Sequence, residues 1–208
     1  MIITVDGPAA AGKGTLARAL ARHYDFHFLD TGSLYRMVGL AVLAGGGDPR
    51  DEAAALHAAQ TLKPDLMRDQ DLRSEEVSEA ASIVAANLKV REALLGFQRD
   101  FAARPPGAVL DGRDIGTVVC PDAEAKIFVT AALEIRARRR HAELAERGAA
   151  PSFDSVLADI LARDERDRNR VHAPLIPAGD AYVLETSHMT REQALTAAIA
   201  FVEKKRKT

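Results

Sequence analysis

One cysteine, Cys120, stands in the whole chain, and tryptophan is absent. A single thiol excludes an internal disulfide and a thiolate metal cluster, which suits a reducing compartment. Charge of one sign is scarce too, since 28 basic against 30 acidic side chains leave a net −2 over 208 residues. That balance excludes a polybasic nucleic-acid binder, and any affinity for anions must be local. No uncharged apolar run approaches the roughly 20 residues of a membrane-spanning helix. The opening stretch MIITVDG also lacks a basic segment followed by an apolar stretch and cleavage site. A cytoplasmic monomer, neither secreted nor anchored and with no nucleic-acid or membrane partner, is the expectation. What abounds is arginine, 21 residues against 7 lysines. Its planar cation matches phosphate and carboxylate geometry with paired donors.

Short apolar runs at residues 2–5, 26–29, 108–110, 125–130 and 182–184 predict strands. Helical spacing predicts helices over 13–23, 33–43, 133–147, 153–168 and 191–204, and two more within 74–101 separated near Asn87. Pro105, Pro106 and Gly107 break the chain, as does the stretch 148–151. Strands alternating with helices predict one α/β domain, a five-stranded parallel sheet flanked by helices, with ligands at the carboxyl ends of the strands. The basic end KKRKT reads as a solvated helix terminus.

Gly7, Pro8, Ala9, Ala10, Ala11, Gly12, Lys13, Gly14 and Thr15 have the G-x4-G-K spacing of a P-loop, placed between strand and helix as that motif requires. The glycines let the backbone curl around an anion with its N–H groups inward, the helix start adds partial positive charge, and Lys13 reaches the β and γ phosphates of a nucleotide. Gly14 stands where Ser or Thr usually follows the lysine, with Thr15 next. Water is therefore expected between Thr15 and a nucleotide-bound magnesium ion. Asp111 ends a strand predicted to neighbour the loop's strand, where it suits the hydration shell of Mg²⁺. The same position also suits a turn cap.

The segments GPAAAGKGT (7–15), LDTGSLYR (29–36), DGRDIGTVVCPDAEAKIFV (111–129) and RDERDRNR (163–170) occur in an order and spacing that resembles the bacterial cytidylate kinases, P-loop nucleoside monophosphate kinases. The resemblance covers nearly the whole chain. It implies a P-loop kinase core over about 1–40, 104–135 and 171–208, a short monophosphate-binding insertion over about 41–103 and a helical lid over about 136–170. Between about 56 and 74 the chain is shorter than the enterobacterial type, whose insertion adds a small β-sheet. The activity implied is transfer of the terminal phosphoryl group of ATP, with Mg²⁺, to CMP or dCMP in pyrimidine nucleotide metabolism.

Carried over residue by residue, Tyr35, Arg36 and Arg113 resemble holders of the acceptor phosphate. Thr31, Ser82, Arg91 and Asp114 resemble the cytosine-binding set. Arg163, Asp167 and Arg170 resemble contacts to sugar and phosphates, and their i, i+4, i+7 spacing puts them on one helix face. Lys13, Arg113 and Arg170 are the expected catalytic groups; Arg136, Arg139 and Arg140 are lid candidates for ATP, with Arg138 left to solvent. Apart from the resemblance, Arg36 reads as a partner for a helix carboxylate, Ser82 as a small packing residue, Asp114 as a turn cap and 163–170 as an ion-paired solvated face. His23 and His27 straddle a helix end with no third ligand near, so zinc is not expected, and His172 and His188 read as ordinary lone histidines. Rival readings are a kinase for UMP, AMP or shikimate, and a non-catalytic nucleotide-binding regulator; no N-K-x-D guanine motif is present to support a GTPase.

Overall fold

The computed structural model describes residues 1–63, 72, 74–148 and 151–207. Part of the shortened stretch in 56–74, namely 64–71 and 73, and residues 149–150 of the break at 148–151 lie outside the described residues, as does Thr208. Five strands are present: β1 (Ile2–Asp6), β2 (His27–Asp30), β3 (Ala108–Gly112), β4 (Ala125–Thr130) and β5 (Tyr182–Glu185). They form one sheet in the order β2-β3-β1-β4-β5. The pairings of β1 with β3, β1 with β4 and β4 with β5 are parallel, as alternation with helices requires. The helices are α1 (Lys13–Tyr24), α2 (Thr31–Ala44), α3 (Glu52–Gln60), α4 (Glu75–Val84), α5 (Leu88–Ala102), α6 (Leu133–Glu146), α7 (Phe153–Arg168) and α8 (Arg191–Arg206). Helix α3 and a π-helical turn over Ile115–Val119 go beyond the elements expected from sequence.

The chain separates into two compact units, Met1–Leu29 with Ala102–Thr208, and Asp30–Phe101. In the first, Ile3, Val5, Val109, Ile127, Val129 and Leu184 from the strands bury themselves with Leu16 and Leu20 of α1 and Ala194, Ala198 and Val202 of α8. Each fully buried Val, Leu or Ile contributes about 1.5–3 kcal/mol relative to exposure. A smaller cluster of Ala137, Leu144, Val156 and Ile160 joins α6 to α7. In the second unit, Leu34, Val38 and Val42 of α2 pack with Ala55, Ala58 and Ala59 of α3, Ala81 and Val84 of α4, and Val90 and Leu94 of α5.

Caps explain most of the helix starts. Side chains of Asp30, Asp51, Ser74, Ser152 and Thr190 accept from the first turns of α2, α3, α4, α7 and α8, and Thr190 with Gln193 completes a capping box. Helix α1 has no side-chain cap; Gly12 precedes it in a left-handed conformation. A helix start of this kind suits an anion, towards which its first N–H groups and the helix dipole are favourably disposed.

Candidate active site

The first unit builds the expected phosphate loop from the end of β1. Gly7 has φ 151, and a Cβ there would collide with the carbonyl of Val129 on β4, so only glycine lets the chain turn out of the sheet at this point. Ala10 at φ 58 and Gly12 at φ 90 then curl the backbone back into α1, which opens at Lys13. A Cβ on Gly14 would lie 2.8 Å from Oδ2 of Asp111. Glycine after the lysine therefore makes room for a carboxylate that overlies the first turn of the helix. Asp111 stands opposite Val5 in the parallel register, the neighbouring strand position expected from sequence. Its hard oxygen donor, next to the helix start, suits the hydration shell of a nucleotide-bound Mg²⁺. Thr15 is exposed on the same helix.

One register pair further on, Asp6 faces Gly112. The phosphate loop and the pair Arg113-Asp114 thus leave adjacent strands side by side, about 4.8 Å apart. The Arg113 Nε donates to Oδ2 of Asp167 at 2.8 Å, and Arg170 donates to the other oxygen of the same carboxylate. Asp167 is 1 % exposed. Burial alone would raise its pKa, but Arg113, Arg170 and Arg163 outweigh it and hold the carboxyl below its ordinary range. Burial likewise opposes the charge on Arg113, and Asp167, Asp111 and Asp164 outweigh it and raise its pKa further. The 163–170 segment is therefore not merely solvated, and it is not one helix face either: α7 ends at Arg168, and the buried acid gathers Arg163 of α7, Arg170 from beyond its end and Arg113 from just after β3.

Asp114 is buried and occupies the cap position of the π-helical turn, yet its side chain makes no capping bond there. The capping partner is Asp6, which accepts from the N–H groups of Ile115 at 2.9 Å and Gly116 at 2.8 Å. Burial, with smaller contributions from Asp114 and Asp111, overrides those two bonds and raises the Asp6 pKa to about 7. Asp6 was not singled out by the sequence reading; its place directly before the loop is the one signal that could have done so. Because the folded value lies above the ordinary 3.8, the native state binds more protons than the unfolded chain between those limits. Stability is thus expected to fall as pH rises through that window. Melting temperatures from pH 5 to 8 should decline more steeply for the natural protein than for Asp6→Asn. Parallel curves would contradict this.

The four arginines of the RARRR run divide sharply. Arg136 is 3 % exposed and donates to Asp164 at 2.6 Å, Ala131 O at 3.0 Å and Ala9 O at 3.2 Å. Arg139 donates to Thr186 O at 2.6 Å, Thr186 Oγ1 at 3.1 Å and Ala11 O at 3.4 Å. Arg140 pairs with Glu143 at 2.9 Å, and Arg138 is exposed as expected. Asp164 and Thr186 were also missed, since neither is distinguished by its neighbours in sequence.

The second unit holds the other expected residues. Thr31 and Tyr35 are buried on α2, and Arg36 pairs with Asp30 at 2.6 Å, the carboxylate partner that its sequence position allowed. On α4, Ser82 is 3 % exposed, and its Oγ has no hydrogen-bond partner among the described residues. Arg91 of α5 is buried, donates to Ala85 O at 3.3 Å and lies 5.8 Å from the centroid of the Tyr35 ring. Helices α2 and α5 thereby bring Tyr35 and Arg91 together. His23 and His27 are exposed on either side of the end of α1. Among the described residues, no three metal-ligating side chains cluster, and no helix is long and apolar enough to cross a membrane.

The cytidylate kinase family model matches residues 3–204. A cytidylate kinase of Bradyrhizobium sp. (strain ORS 278) is 58 % identical over 203 residues, covering 98 % of this chain and 96 % of its own. That of Afipia carboxidovorans is 55 % identical over 208 residues, the full length of both. Among solved structures, a gluconokinase from Sinorhizobium meliloti 1021 superposes with TM-score 0.52 at 15 % identity, over 97 % of this chain and 91 % of the other, a likeness of fold. With its P-loop, its arginine-gripped Asp167 and relatives similar from end to end, the chain belongs to the cytidylate kinase family.

Proposed function

We propose that the protein transfers the terminal phosphoryl group of ATP to CMP or dCMP, giving ADP with CDP or dCDP, in pyrimidine nucleotide metabolism. The observation that carries the reading is the register pair Asp6 and Gly112, which makes a donor-phosphate loop and a phosphate-type arginine issue from neighbouring strands. Family membership supplies the acceptor's identity. We take the chain as one P-loop kinase domain with the core, insertion and lid segments given above. It works as a cytoplasmic monomer on soluble nucleotides.

An acceptor phosphate oxygen attacks the γ-phosphorus in line, and the bond to the β–γ bridging oxygen breaks as ADP leaves. No general base is required, because the attacking oxygen is already anionic at neutral pH. Alignment and charge neutralisation supply the rate. Lys13 and the loop N–H groups hold the donor, while Arg113 and Arg170 neutralise the group in transfer. Tyr35 and Arg36 hold the acceptor phosphate, and an anion of charge −2 displaces Asp30 as the partner of Arg36. Arg163 and Asp167 take the sugar, with Arg136, Arg139 and Arg140 in the lid. Thr15 and Asp111 would hold the Mg²⁺ of MgATP through water. That ion supplies charge neutralisation on the phosphates.

For the base, Thr31, Ser82, Arg91 and Asp114 match cytosine, which offers an amino donor beside N3 and O2 acceptors. The buried Ser82 Oγ, which has no hydrogen-bond partner among the described residues, supports a polar ligand. Uracil reverses the donor pattern and would leave a buried acceptor unpaired, at a cost of about 1–3 kcal/mol. A coupled assay across CMP, dCMP, UMP and AMP tests the reading: the two cytidine nucleotides are expected to be the best acceptors. Asp114→Ala should lower kcat/KM for CMP about 10- to 100-fold and shrink the preference over UMP, and Arg36→Ala should weaken every monophosphate alike. AMP or UMP as the best acceptor would overturn it.

A further inference from the structure

Two of the three arginines that sequence position marks as lid candidates for ATP are turned toward the phosphate loop's own backbone. Arg136 reaches the carbonyl of Ala9 at 3.2 Å, and Arg139 reaches that of Ala11 at 3.4 Å. The backbone N–H of Thr186 donates to Thr130 O at 2.8 Å, at the end of β4, and its hydroxyl shares its one proton between Ala11 O at 3.2 Å and Thr130 O at 3.0 Å. The peptides of the loop are trans. In a trans peptide the carbonyl and the following N–H point in opposite directions. Fixing the carbonyls of Ala9 and Ala11 therefore fixes the N–H groups of Ala10 and Gly12 on the opposite side, where a P-loop receives its anion.

Ala10 shows why the loop needs holding. Its φ of 58 is left-handed, a conformation that costs a residue with a Cβ free energy and persists only where surroundings impose it. Two contacts impose it here: Arg136 on the preceding carbonyl, and the α6–α7 apolar cluster against which the Ala10 side chain packs. Arg136 is in turn fixed by Asp164 and Ala131. Both partners of the ion pair are almost fully buried, at 4 % and 1 % side-chain exposure.

We propose that Arg136 and Arg139 are positioning residues of the donor site: they hold the Ala9 and Ala11 carbonyls outside the phosphate loop so that its N–H groups face the nucleotide, and they do not themselves grip ATP. The inference rests on the kinase reading for the identity of the anion. It separates from a clamp because the loop cradles the phosphates common to ADP and ATP, whereas a clamp on the transferring group feels only ATP and the transition state.

Calorimetric binding of ADP and of ATP with Mg²⁺ tests it on the full-length natural protein, Arg136→Lys and Arg139→Gln, with thermal melts to confirm folding. Lysine keeps a cation beside Asp164, but its single nitrogen cannot reach two carbonyls and a carboxylate as the fork does. Each variant is expected to weaken ADP and ATP by the same factor, about tenfold, as loss of a charge-assisted hydrogen bond implies. Unchanged ADP affinity, with only ATP affinity or kcat reduced, would overturn the proposal in favour of a direct clamp. Should the buried Arg136 variant not fold, Arg139→Gln decides alone, because it leaves no buried carboxylate behind. A natural protein that binds neither nucleotide defeats the kinase reading itself; one that binds both as well as its variants do defeats only this inference.

Discussion

Arg113→Met is expected to lower kcat/KM for CMP by about 10³-fold, the lower end of what an arginine on a phosphoryl group in transfer contributes. The expectation follows from register. Asp6 and Gly112 are opposed in the parallel ladder, so Arg113 begins where the donor loop begins, one strand over. Its Nε is engaged by Asp167 at 2.8 Å and its Nη1 by Gly112 O at 3.2 Å, two contacts that orient the guanidinium beside the donor loop. Because Arg170 also engages Asp167, methionine at 113 does not leave that buried carboxylate uncompensated, and the variant should fold. Arg113→Lys separates charge from geometry: it keeps the cation and loses the paired donors, so a defect of about 10²-fold is expected. Steady-state kinetics with CMP varied at saturating ATP, beside thermal melts, give the answer. A folded Arg113→Met enzyme within tenfold of the natural one would remove Arg113 from the chemistry.

Much of this architecture was legible in the sequence, for identifiable physical reasons. The strands are short apolar runs ended by Asp-Gly or Thr, and the helices α1, α6, α7 and α8 carry helical spacing between clear breaks, so both kinds of element fell within a few residues of expectation. Helix α3 escaped because five of its nine residues are alanine; its apolar and polar positions differ too little to make a stripe. Its start was nevertheless marked by Asp51, whose side chain accepts from Ala53 and Ala54. The π-helical turn escaped for the opposite reason. The bonds that hold it come from Asp6, more than a hundred residues earlier, and no local pattern encodes them. Phosphate-loop spacing is legible because its backbone conformation demands glycine at fixed places, as Gly7 shows against Val129.

The direction in which a long side chain turns is not legible in this way. Arg136, Arg138, Arg139 and Arg140 are chemically alike and nearly consecutive, yet Arg136 is buried against Asp164 and Arg138 is exposed. Only the helix phase relative to a finished core separates them. Ser82 shows the complementary case: composition left it as a packing residue, and the absence of any hydrogen-bond partner for its Oγ among the described residues turns the reading toward a ligand.

Lys13→Met is expected to produce the other large loss, about 10³-fold in kcat, with the KM for CMP nearly unchanged. The lysine opens α1 from inside the loop, and in the reaction proposed above its compact charge meets oxygens of the β and γ phosphates, where negative charge redistributes as the bridging bond breaks. Interactions that strengthen in the transition state lower kcat when removed, whereas those made equally in the ground state raise KM. In the proposed reaction Arg113 serves acceptor as well as donor and so should move both constants, whereas Lys13 serves only the donor and should move kcat, with a smaller rise in the KM for ATP. The charge-conserving change Lys13→Arg should not restore turnover, because the loop that closes at Gly12 and Gly14 admits a single nitrogen better than a planar fork, and Asp111 already occupies the space beside Gly14. Matched kinetics of Lys13→Met and Arg113→Met decide the division of labour. If the lysine variant loses CMP affinity as strongly as it loses turnover, Lys13 does not act on the donor alone, and its assignment to the donor site fails.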